Sequence, residues 1–121
     1  MWKSPTTLKA YMKPTEAEVQ LLTKWVEALE SGKYQQGRNR LRNFDRFCCV
    51  GVLCDVADPT KWVYLGDWGV DVWDGADGGA PASVLQLLPV IENWSELVYR
   101  NDDQKQTFPE ISAYLREKYL T

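Results

Sequence analysis

Three cysteines, Cys48, Cys49 and Cys54, follow closely on three alternating arginines, Arg38, Arg40 and Arg42, in a chain that has no histidine. Thiol catalysis is the first chemistry these residue types raise. Cys48 stands near the predicted start of a helix, where free amides and the helix dipole lower a thiol's pKa. An upstream glutamine, Gln35 or Gln36, supplies a candidate oxyanion donor of the kind papain-like enzymes use. Thiol enzymes activate the sulfur with a histidine base, however, and this chain has none. The plainer reading is that all three cysteines are small buried apolar residues. Metal binding has little support either, because Cys-Cys-x4-Cys is not a zinc spacing and no histidine completes a tetrahedron.

The arginines are the stronger functional candidates. In an extended segment they recur with period two, so they share a strand face about 6–7 Å apart and repel one another unless anions lie between them. The functional expectation is an anion-binding face made by Arg38, Arg40 and Arg42, with Gln36 assisting and Trp68 and Trp73 offering stacking surfaces for a nucleotide base. The plainer expectation is a solvated face, or pairing with the acidic stretch Asp67, Asp71, Asp74 and Asp77, which contributes little where exposed. That acidic stretch misses the EF-hand spacing and lacks its bidentate glutamate, so a turn-rich acidic loop is the better description. Asn101-Asp102-Asp103 reads first as a helix stop. Asp102 is also the candidate carboxylate of a nucleotide hydrolase, and Cys48 the candidate nucleophile of a thiol enzyme. No phosphate-cradling glycine motif is present.

The elements that must position these residues follow from period and capping. Thr15 and Glu18 form a capping box for a helix over about 15–31, with Val19, Leu22, Trp25, Val26 and Leu29 on one face and Gly32 just past its end. Tyr34 to Asn43 reads as extended. Asp45 is the expected cap of a helix over about 46–57, with Phe47, Val50, Leu53, Cys54 and Ala57 inward and Asp58-Pro59 as its stop. Residues 61–79 read as a hairpin, Trp62–Leu65 and Val70–Trp73 around a turn at 66–69, followed by a loop. A short helix is expected from Pro81 or Ser83 to Leu88, another over Glu92–Arg100, and a last one from Thr107 with Phe108, Ile111, Leu115 and Tyr119 on one face. The order predicts an α+β fold: about four helices on a short antiparallel sheet, with an arm at 1–13 and one domain over 14–121.

At 121 residues the chain is long enough for one core, and 45% hydrophobic with 26% charged residues describes an ordinary globular protein. Six tryptophans and six tyrosines exceed what one core of this size needs, which leaves aromatics for a binding surface and makes a homodimer a reasonable expectation. A net charge of −3 argues against general nucleic-acid binding. No segment reaches the roughly 18 apolar residues a bilayer span requires. The first residues are too polar for a secretory signal, and an odd cysteine count makes a poor disulfide framework; the expected compartment is a reducing cytosol. No cofactor is implied.

The segment Lys24–Tyr34 with Gln36-Gly37, then Leu41 and Phe47-Cys48-Cys49-Val50-Gly51-Val52-Leu53-Cys54-Asp55, resembles a family of short uncharacterised accessory proteins of tailed phages and prophages. The ending is similar too, with Asn101-Asp102 and Thr107-Phe108-Pro109-Glu110-Ile111-Ser112 where the family has Ser-Phe-x-Glu-Ile-Ala. The resemblance covers 24–57 and 97–116; the Trp- and Asp-rich middle and Arg38-Asn39-Arg40 depart from it. It implies a phage protein working in the host cytosol. The leading expectation is a non-enzymatic protein that neutralises a host-defence component by sequestering an anionic nucleotide signal. The alternative is a protein–protein inhibitor that presents the Trp62–Trp73 hairpin as an aromatic hot spot.

Overall fold

The computed structural model describes residues 13–121, so the arm expected over 1–13 lies outside it except for Lys13. The first described helix, α1 (Glu16–Glu30), starts where the capping box requires: the Thr15 hydroxyl accepts from the Glu18 amide, and the Glu18 carboxylate accepts from the Thr15 amide at 3.0 Å. The other Glu18 oxygen accepts the Val90 amide at 2.9 Å, tying the helix start to a distant loop. The predicted face is buried through Leu22, Trp25, Val26 and Leu29, while Val19 stays exposed. Gly32 follows in the left-handed conformation its position requires.

The stretch between α1 and the next helix differs from the single extended segment expected. It makes three two-residue strands, β1 (Gln35–Gln36), β2 (Arg42–Asn43) and β3 (Arg46–Phe47), with β3 central, parallel to β1 and antiparallel to β2. Residues 38–41 form bends, and Asn39 takes φ +72°. A left-handed residue breaks the two-residue alternation, so Arg38 and Arg40 do not continue the strand that holds Arg42. The next helix, α2 (Cys49–Ala57), starts three residues later than expected because Arg46 and Phe47 are consumed in β3. Its cap is the Cys48 sulfur, which accepts from the Gly51 amide at 3.3 Å, and not Asp45.

A 3₁₀ turn (Pro59–Lys61) then leads into the predicted hairpin, β4 (Trp62–Leu65) antiparallel to β5 (Val70–Trp73). Three helices complete the described chain: α3 (Ala82–Leu87), α4 (Trp94–Asp102) and α5 (Phe108–Tyr119), the last opened by a second capping box at Thr107 and Glu110. Helix α4 runs through Asp102, beyond the stop expected at Arg100. The result is α+β, with five described α-helices and two small sheets in place of one.

Helix α2 is the centre of the core, its residues Cys49 to Cys54 all buried, with α1 and α4 against it and α5 on α1. Its first turn crosses the backbone of buried Leu41 so closely that a Cβ on Gly51 would lie 1.8 Å from the Leu41 carbonyl oxygen. Trp25 donates its indole N–H to the Cys49 carbonyl at 2.9 Å, satisfying the one polar atom of a fully buried ring. No described helix is long and apolar enough to cross a membrane.

Candidate functional site

The six residues singled out for an anion site lie in different environments. Gln36 donates to the Asn101 side-chain oxygen at 2.9 Å and to the Gln106 carbonyl at 2.7 Å, so its amide works inside the fold. Arg42 reaches Asp71 at 2.8 Å and lays its guanidinium 4.3 Å from the Trp62 ring centroid. Asp71 is buried, and its second oxygen accepts the Phe44 amide at 3.1 Å. Arg42 and Asp71 together therefore clamp β2 to β5. Trp73 is only 1% exposed and donates its indole N–H to the Asp58 carbonyl at 2.8 Å. That ring is a core residue, not a stacking platform. Arg38 and Arg40 remain exposed on the bends either side of Asn39, and neither makes an ion pair among the described residues. Trp68, in the turn of the hairpin, is 79% exposed.

The hairpin is the feature these contacts build. Its base is fixed from three sides: Asp55 of α2 accepts the Trp62 indole N–H at 3.0 Å and the Tyr34 hydroxyl at 2.6 Å, Asp58 holds Trp73, and Arg42 holds Asp71. Burial and the Asp55 hydrogen bond push the Tyr34 phenol up to about 12. The far end carries Val63, Tyr64, Leu65 and Trp68 into solvent. Beside it stands Phe44, 72% exposed in the β2–β3 turn at φ +59°, its ring centroid 6.4 Å from that of Tyr64. A bulky aromatic in a left-handed turn position is strained, and water gains nothing from it. Sequence reasoning passed over Phe44, which falls on no helical or strand period; its place between Asn43 and Asp45 in a turn was the available signal.

The cysteines are packing residues. Cys48, Cys49 and Cys54 are buried and unpaired, and burial pushes the Cys48 thiol up to about 11 and raises the other two as well. A thiol so raised holds almost no thiolate near neutral pH. Beneath them Asn101, fully buried, satisfies its whole amide: its oxygen accepts from Gln36 and from the Cys49 amide at 3.1 Å, and its nitrogen donates to the Gly37 carbonyl at 2.9 Å and to Asp102 at 2.8 Å. Asn101 thus clasps the Gln-Gly turn, the start of α2 and the end of α4. Among the described residues no three cysteine, aspartate or glutamate side chains converge as a metal site would need.

A groove of about 370 Å³ opens along α4. It is lined by Trp94, Val98, Tyr99 and Asp102 of α4 and by Asn39, Gly79 and Ala80. Asp102 is fixed there by the Asn39 amide, which donates to its Oδ1 at 3.0 Å.

Residues 17–118 match the model of a family described as a domain of unknown function (DUF8296). No curated protein and no solved structure matches the chain.

Proposed function

We propose that this chain, which belongs to the DUF8296 family, is a non-enzymatic binding protein that docks on a partner protein through its aromatic hairpin. The observation that carries this reading is the concentration of Phe44, Val63, Tyr64, Leu65 and Trp68 in solvent on the hairpin and the neighbouring β2–β3 turn, whose bases are held by hydrogen bonds. Large aromatics on a pre-ordered support lose little entropy on binding, and truncating such an anchor typically costs 2 kcal/mol or more. The resemblance to phage accessory proteins makes a host protein the partner, and interference with host defence the purpose. A tagged chain expressed in a susceptible bacterium should retain that protein. Trp68→Ala and Phe44→Ala should each lower the retained amount at least tenfold with Tm unchanged. Retention unaffected by both substitutions would sink the proposal.

A second reading keeps the nucleotide ligand, and the guanidiniums of Arg38 and Arg40, exposed and without an ion pair among the described residues, support it. With Arg42 and Gln36 occupied inside the fold and Trp73 buried, it has fewer groups to work with. Calorimetry against cyclic di- and oligonucleotides tests it: heat that disappears in the Arg38→Ala/Arg40→Ala double variant supports it, and silence across the panel ends it.

A further inference from the structure

We infer that the groove along α4 is a second binding site, one that takes the guanidinium of an arginine side chain from a partner polypeptide. It shares no residue with the hairpin surface, so the inference does not depend on that reading. The sign of the ligand follows from the lining, which holds the carboxylates of Asp102 and Asp103 and no basic side chain. Both stand at the C-terminal end of α4, Asp102 as its last residue and Asp103 as its cap. The helix dipole is negative there, so two carboxylates at that end oppose the local electrostatics and do not serve the helix. Local rules broken in this way mark places where a ligand completes the arrangement. The flanking cations do not complete it from within: neither Arg38 nor Arg40 pairs with Asp102 or Asp103 among the described residues.

The shape points to a flat cation. Asp102 is held through Oδ1 by the Asn39 amide at 3.0 Å and the Asn101 side-chain nitrogen at 2.8 Å, and its other oxygen has no hydrogen bond among the described residues. That oxygen is oriented in advance, which reduces what binding must order. Trp94 is braced by its stacking on Trp25, ring centroids 6.2 Å apart, and Tyr99, further along the same helix, presents a half-exposed ring. Guanidinium stacks on such rings while donating in its own plane to carboxylates, which a compact ammonium does less well. Gly79 and Ala80 bring little side chain to the lining, which leaves room for the chain that carries the arginine.

The test is amide and indole NMR of the isotope-labelled full chain, titrated with the peptide acetyl-Gly-Arg-Gly-amide and with its citrulline counterpart, the same shape without charge. Saturating shifts of the Trp94 indole N–H and of the 95–103 amides are expected with the arginine peptide, at least fivefold weaker binding with lysine in its place, and no response to citrulline. Asp102→Asn keeps the Oδ1 acceptor while removing the charge, so binding should fall at least tenfold with the amide spectrum otherwise preserved. Asp103→Asn, at a side chain that makes no hydrogen bond among the described residues, should weaken binding several-fold. No shifts with the arginine peptide, equal shifts with citrulline, undiminished binding by both variants, or tenfold tighter binding of free agmatine than of the peptide would overturn the inference.

Discussion

Gly51 stands where the first turn of α2 crosses the Leu41 backbone, and the 1.8 Å that a Cβ would leave to the Leu41 oxygen is far inside any allowed contact. Alanine ordinarily favours a helix interior over glycine by about 1 kcal/mol. Here backbone would have to move, at an overpacking cost of about 1–3 kcal/mol or more, so Gly51→Ala should lower Tm clearly in a thermal melt. A Tm equal to or above wild type would show that the crossing is loose. Cys48 allows the complementary test. Its sulfur caps α2, so Cys48→Ser should preserve stability and Cys48→Ala should lose about 1 kcal/mol. Because burial lifts its pKa to about 11, the thiol should label in native buffer at pH 8 at least a hundredfold more slowly than in denaturant. Fast native labelling would return Cys48 to the list of reactive groups. The burial of the cysteines was legible from their apolar neighbours and the missing histidine. The crossing at Gly51 was not, because it depends on a loop that no local period marks.

Among the elements, both capping boxes and the helices they open were readable from spacing alone, since Thr15–Glu18 and Thr107–Glu110 act within one turn. The arginine segment misled for the opposite reason: period two predicts a strand only while every residue stays in the extended region, and Asn39 leaves it. Arg42 consequently serves as a clamp between β2 and β5. A double-mutant cycle on Arg42 and Asp71 should give a coupling of about 1–2 kcal/mol, and a value near zero would contradict the clamp. Helices α1 and α5 are joined differently, by Glu30 with Arg116 at 2.7 and 2.8 Å and with the Ser112 hydroxyl. The Arg116 hydrogen bonds foremost, and then Ser112, hold the Glu30 carboxyl down to about 2, below its ordinary value of 4.5. The folded state therefore binds this proton more weakly than the unfolded chain, so the contribution is complete above about pH 4.5 and disappears as pH falls toward 2. The Tm gap between wild type and Glu30→Gln should be widest near neutrality and should close by pH 2; a gap independent of pH would mean that the carboxylate charge contributes nothing.

At the scale of the whole molecule, two surfaces among the described residues carry the proposals. One is the aromatic end of the hairpin with Phe44; the other is the acidic, aromatic groove along α4. The aromatic surplus was visible in composition, but which rings would be spare was not: Trp25 and Trp73 are core, whereas Trp68 and Phe44 face water. Burial of that kind is decided by long-range packing, such as Trp73 on Asp58, that sequence spacing does not encode. The proposed function rests on these outward rings, so the most direct measurement is the affinity of the captured host protein for the wild-type chain and for Trp68→Ala, by calorimetry on the two purified components. A loss of at least tenfold in affinity with an unchanged melting curve is the predicted result. Equal affinities for the two proteins would contradict the assignment of the hairpin as the binding surface.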